Sequence, residues 1–217
     1  MPDLHIRVEG AEPVPFAAAP LLSLKLRIEN AVPNETIHTI ALRAQIHIEA
    51  TRRRYADPEK DRLMDLFGEP ERWSRTLRPL LWTHASTVIT SFTGSSIADL
   101  QVPCSFDFNI AATKYFHAIG EGEIPLNLLF SGTIFYAPGG SGLQVTLIPW
   151  DKEARFRLPF QTWRAMMDDY YPNTAWVALH RDLFDRVYEF KVRNGIPTLE
   201  AALERLLEAT AERATFG

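Results

Sequence analysis

The chain has 217 residues, of which 46% are hydrophobic and 23% charged, and its formal net charge is −4. That balance belongs to an ordinary globular protein and argues against a disordered or fibrous chain. The lack of a basic excess removes nucleic acid as the expected partner.

The first residues, Met1-Pro-Asp-Leu-His5, lack the basic segment and apolar run of a secretory signal. No stretch approaches the roughly 18 to 20 uncharged apolar residues of a membrane-spanning helix, so direct membrane insertion is not expected. The only cysteine, Cys104, permits no internal disulfide and no thiolate cluster. A reducing, cytoplasmic setting is the expectation.

Period-two alternation dominates the first two thirds. After a first such pattern at Leu4 to Val8, Leu22, Leu24, Leu26 and Ile28 alternate with Ser23, Lys25, Arg27 and Glu29. A turn at Pro33-Asn34 follows, and then Leu42, Ala44, Ile46 and Ile48 alternate with Arg43, Gln45, His47 and Glu49. Each set predicts a strand with one buried face. Similar patterns at Thr87 to Phe92, Ala98 to Cys104, Phe106 to Ile110, Leu128 to Tyr136 and Leu143 to Ile148 predict further strands, the last two joined by the glycine-rich loop Ala137 to Gly142.

Between Ala50 and Trp82 the period changes. Asp57-Pro58 reads as a helix start, Leu63, Leu66 and Phe67 as its apolar stripe, Gly68 as its stop, and a second short helix presents Trp73 and Leu77. Beyond Pro159 the spacing is helical again, with Phe160, Trp163 and Met167, then Leu183, Phe184, Val187 and Phe190. Gly195 marks a stop, and Thr198 caps a last helix with Leu199, Ala202, Leu203, Leu206 and Leu207 on one face. The expected fold is α+β and predominantly β: an antiparallel β-sandwich, immunoglobulin-like or C2-like, over residues 1–158. It carries a helical insertion near 56–79, with residues 159–217 a helical appendage packed on the same domain.

No group of residues reaches a catalytic, metal or phosphate signature. Asp57, Glu59, Asp61 and Asp65 resemble a calcium loop, yet Arg62 stands where that loop needs glycine and Gly68 where it needs glutamate. Arg52 to Arg54, Lys60, Arg62, Arg72, Arg75 and Arg78 make a basic segment interleaved with acids, which favours local ion pairing over anion binding. No two histidines stand at the spacing of a helical zinc pair. His47 and Glu49 share only the polar face of a strand. Cys104 and Ser131 lack a nucleophile elbow and a neighbouring base, and no glycine-rich phosphate loop is present. No cofactor and no catalytic residue is therefore expected. The segment from Ile148 to Arg157 is the most distinctive local feature: Trp150 and Phe156 can pin the tail to the sheets, while the charges between them offer a docking edge.

Four segments carry a resemblance: Leu66-Phe-Gly-Glu-Pro-Glu-Arg-Trp73; Arg75-Thr-Leu-Arg78 with Leu80-Leu-Trp82; Phe130-Ser-Gly-Thr-Ile-Phe-Tyr136; and Ile148-Pro-Trp-Asp-Lys-Glu-Ala-Arg155. With Gly195-Ile-Pro-Thr198 they span nearly the whole chain. The chain resembles a bacterial family of undefined function whose members are associated with gene clusters of nickel-iron uptake hydrogenases. The resemblance implies an accessory role and brings no catalytic residues. One thiol is too few for nickel delivery or iron-sulfur assembly, which want clustered soft ligands.

The expectation is a non-enzymatic interaction protein whose partner is a protein, hydrogenase subunits or maturation factors by the resemblance. Trp150, Asp151, Lys152, Glu153, Arg155, Arg72 and Arg75 are the candidate partner surface. Two rival readings remain: a small-ligand or carbohydrate-binding sandwich that stacks its ligand on Trp82, Tyr136 or Trp150, and a hydrolase or metal-dependent enzyme combining His47, Glu49, Asp151 and Glu153.

Overall fold

The computed structural model describes residues 1–105, 110–138, 142–174, 177 and 179–215. The chain divides into two compact units, Met1–Thr174 and Ala175–Gly217.

The first unit holds two antiparallel sheets. One has three strands in the order β1 (Leu4–Pro13), β2 (Leu21–Asn30), β6 (Ser95–Pro103). The other runs β4 (Leu80–Ile89), β3 (Thr36–Ile48), β7 (Glu123–Ala137), β8 (Gln144–Leu147), with β5 (Phe92–Thr93) also on β3 and β9 (Glu153–Pro159) also on β7. This is the expected predominantly β, sandwich-like α+β architecture. The alternating residues Leu22, Leu24, Leu26 and Ile28 are completely buried, as are Ile40, Ile46 and Ile48 of β3, and they join residues of both sheets in one core. Each such side chain contributes about 2 kcal/mol through removal from water.

On the outer face of the small sheet Arg7 pairs with Glu29 at 3.2 Å and Lys25 with Glu12 at 3.7 Å, and Arg27 pairs with Glu9. In the middle of β7, Gly132 has φ +142°, and a Cβ there would stand 2.0 Å from the Ala41 carbonyl oxygen, so only glycine fits.

The insertion contains α1 (Asp57–Phe67), a 3₁₀ turn at Pro70–Arg72 and α2 (Trp73–Thr76). Asp57 is not the cap: Ala56 precedes the first turn, and the Glu59 carboxylate reaches back to accept the Ala56 N–H at 3.0 Å. Leu63 and Phe67 are buried as expected and Leu66 is half-buried. Three elements depart from the sequence reading. Strand β4 begins at Leu80, directly after Pro79 and well before the start expected at Thr87. Residues Ile110–Ala118 form α3, which buries Ala112, Tyr115 and Phe116 at helical spacing. The strand expected at Phe106 to Ile110 lies, for 106–109, outside the described residues, as do 139–141 of the Ala137 to Gly142 loop. Finally, Glu153–Pro159 is a strand, with Ala154 and Leu158 buried and Glu153, Arg155 and Arg157 exposed.

Helix α4 (Phe160–Tyr170) buries Phe160, Trp163, Met166 and Met167 and packs on β1, β2 and β9. In the second unit α5 (Arg181–Arg193) packs on α6 (Leu199–Thr215). Gly195 takes φ +62° after α5, and Thr198 Oγ1 accepts the Ala201 N–H at 3.1 Å, which bears out the stop and the cap read from sequence.

Candidate functional site

Strands β8 and β9 both pair with β7 and continue one line along its edge: Leu147 stands opposite Thr133, and Glu153 opposite Leu129. The residues between them leave that line as a turn. It is held at both feet, because Ile148 N–H donates to the Gly132 carbonyl at 3.0 Å and Phe130 N–H donates to the Lys152 carbonyl at 2.9 Å. At its tip Trp150 is 94% exposed. An indole this free of its own fold is unusual, since large aromatics normally bury most of their surface.

Lys152 turns from the tip toward β1 and binds Asp3 at 2.8 Å; the hydrogen bond from its ammonium and its charge hold the Asp3 carboxyl below its ordinary value. A groove of about 400 Å³ runs alongside, lined by His5, Arg7, Glu29, Asp151, Lys152 and Glu153. Glu153 accepts from Asn127 Nδ2 at 3.1 Å and from Arg155 at 3.3 Å. Five of the seven residues expected at a partner surface, from Trp150 to Arg155, are thus gathered on one turn and strand.

Arg72 and Arg75 lie elsewhere, exposed on the 3₁₀ turn and α2. The registers place Leu80, the strand start that follows them, opposite Ile48, then Leu126, then Phe156. That puts three strand spacings, roughly 14 Å, between β4 and β9.

The basic segment is partly self-neutralised. Arg52 pairs with Glu49 at 3.3 Å, Lys60 with Asp57 at 2.7 Å and Arg53 with Glu59 at 2.6 Å, whereas Arg54, Arg72, Arg75 and Arg78 make no ion pair among the described residues. Arg53 and Glu59 close the α1–α3 end of β7. The Arg53 fork donates to the carbonyls of Glu121 and Glu123, both at 2.8 Å, and Glu59 also accepts the Gly120 N–H at 3.1 Å. Burial pushes the Glu59 carboxyl upward, but the Ala56 and Gly120 N–H groups and the Arg53 charge outweigh it, and the net shift is downward. Beside this pair Tyr55 donates to the Ala50 carbonyl at 2.7 Å and so accepts from the Tyr115 hydroxyl at 2.8 Å. Burial pushes Tyr55 up to about 12 and Tyr115 upward as well. Sequence separation hid this network, because its acceptors come from a loop some 70 residues downstream of Arg53.

The residues of the two rival readings sit as follows. Trp82 and Tyr136 are buried, Trp82 against Phe116 with ring centroids 4.8 Å apart, so Trp150 alone of the three aromatics faces solvent. The cavity beside Trp82 holds only about 10 Å³, room for one water at most. His47 stands opposite Asn127 on the outer face of the large sheet, Glu49 binds Arg52, and Asp151 sits on the turn. Among the described residues no three His, Cys, Asp or Glu side chains converge on a metal position. The carboxylates of the calcium-like ladder are dispersed, with Asp57 on Lys60, Glu59 on Arg53 and Asp65 on Lys114. Cys104 is buried, its thiol pushed up to about 12 by that burial, which suppresses the reactive thiolate.

No described helix is long and apolar enough to cross a membrane. No curated protein and no solved structure matches the chain. Residues 1–215 match a family of unknown function, DUF6084, and the chain belongs to that family.

Proposed function

We propose that this protein is a non-enzymatic interaction protein that docks a protein partner through the Trp150 turn and the groove beside it. The observation that carries the reading is the 94% exposed indole on a turn pinned to β7 at both feet. A rigidly presented tryptophan flanked by charge is the usual anchor of a protein interface, because it offers a large apolar area at little conformational cost. Asp151, Lys152, Glu153 and Arg155 supply the polar rim around it. The family resemblance supports the finer reading that the partner is a multisubunit nickel-iron hydrogenase, whose assembly, maturation or anchoring this protein supports.

Co-purification from a producing bacterium carrying a tagged copy at native expression tests both levels. Hydrogenase subunits are expected with the wild-type protein and at least about tenfold less with a folded Trp150→Ala variant. Recovery of the tagged protein only as a free species, together with unchanged hydrogenase activity in a deletion strain, overturns the proposal.

A further inference from the structure

Sheet edges are templates for pairing, and folded proteins protect them with neighbouring elements or charge. Four of the edges here are so protected, β9 with β1 and β4 with β6. β9 also carries Glu153, Arg155 and Arg157 on its exposed face. Strand β8 differs. It ends the order of its sheet, and from Gly142 to Trp150 the chain contains no charged residue.

The hydrogen-bond phase of β8 follows from one contact. Ile148 donates to Gly132, so in the antiparallel ladder Thr146 and Gln144 bond inward to Ile134 and Tyr136. The N–H and C=O of Leu147 and Val145 therefore point away from β7, and Leu143, the residue just before the strand, stands at the next alternate position of the sequence. The apolar side chains of these three are exposed, Leu143 at 62%, Val145 at 58% and Leu147 at 70%, as is the polar Gln144. Their side chains share the outer face with Phe135 and Thr133, the residues opposite Val145 and Leu147.

We propose that β8 pairs antiparallel with β8 of a second copy about a two-fold axis at Val145, joining two six-stranded sheets edge to edge. The occupant is identified by self-complementarity. Reversing Leu143-Val145-Leu147 about its centre reproduces it, so Val145 meets Val145 and each Leu147 meets the other copy's Leu143, on the one face and with no charge to oppose it. The outward-pointing backbone groups of the same residues supply the bonds. Pro149, which has no N–H, ends the pairing on one side. So short an edge covers less than the roughly 800 Å² per partner of a standard interface, and the dimer is accordingly a reversible one.

Sedimentation equilibrium of the full chain from about 5 to about 500 µM reads the association. A monomer–dimer equilibrium is expected, with Val145→Lys raising the dissociation constant at least about tenfold. Val145→Cys is expected to give a disulfide-linked dimer under mild oxidation. Val88→Cys, more exposed on β4 at 70%, is not, and the buried Cys104 adds no background. Circular dichroism confirms that each variant is folded. A monomer throughout the range, a dimer indifferent to Val145→Lys, or cross-linking through Val88→Cys instead overturns the proposal. So does an apolar peptide strand binding β8 while the chain itself stays monomeric. Trp150→Ala leaves this equilibrium unchanged, which separates it from the partner-docking reading.

Discussion

The two ends of β7 are finished in opposite ways. At its start, by Glu123, polar groups from four segments lock together: Arg53 holds two carbonyls and Glu59, Glu59 takes two backbone N–H groups, and the hydroxyl of Tyr115 in α3 meets that of Tyr55. Toward its end, from Thr133 to Tyr136, β7 pairs with a four-residue strand whose far side carries no further strand among the described residues. The first end uses charge and hydrogen bonding internally and leaves little of either for a partner. The second leaves Val145 and Leu147 exposed along its edge, and the exposed Trp150 stands on the turn that follows, beside the middle of β7.

Removing the lock should have the largest effect on stability. Glu59→Gln leaves the Arg53 guanidinium, 11% exposed, without its counter-charge, and is expected to lower unfolding free energy by about 3 kcal/mol in urea titrations. The pH dependence has a defined sign. Because the folded carboxyl titrates below its ordinary value of 4.5, its stabilisation is complete above that pH and is lost as pH falls through the lowered value. The wild-type protein should therefore lose stability more steeply than Glu59→Gln between pH 5 and the acid limit, and parallel curves would refute the assignment.

A smaller loss, about 1 kcal/mol, is expected from Tyr115→Phe, which removes one hydroxyl donor while Tyr55 keeps its bond to Ala50. Thermal or urea unfolding measures it. At the turn pinned to the middle of β7, Trp150→Ala should change stability by no more than about 0.5 kcal/mol, since the indole touches little of its own fold. A large loss there would mean that the turn is structural after all, and its contrast with the Arg53–Glu59 lock would fail.

The alternation of β2 and β3 was readable because each strand has one buried and one exposed face, and the period survives in the side chains themselves. The same signal exists in β9, where Ala154, Phe156 and Leu158 alternate with Glu153, Arg155 and Arg157, but the preceding Trp150-Asp-Lys152 turn makes the segment look like a charged connector. At β4 the run Leu80-Leu-Trp82 masks the period, and Pro79 reads as a helix stop. Of the candidate surface, the local cluster Trp150 to Arg155 was legible and is gathered by one turn. The distance of Arg72 and Arg75 from it depends on strand order, which no local pattern encodes. The alignment of β8 and β9 along a single neighbour is likewise a property of pairing, as is the reach of Arg53 to the loop at Glu121.

Strand β2 stands between partners from opposite parts of the chain: Leu24 faces Ala11 on one side and Leu100 on the other. A ribosome therefore releases the β1–β2 hairpin long before the strand that completes its sheet. During that interval Leu22, Leu24, Leu26 and Ile28 have no finished core to enter, and closing the sheet must wait for a contact that spans about a third of the polypeptide. Synthesis of this protein is consequently a period of exposure for the very residues that end up most deeply enclosed.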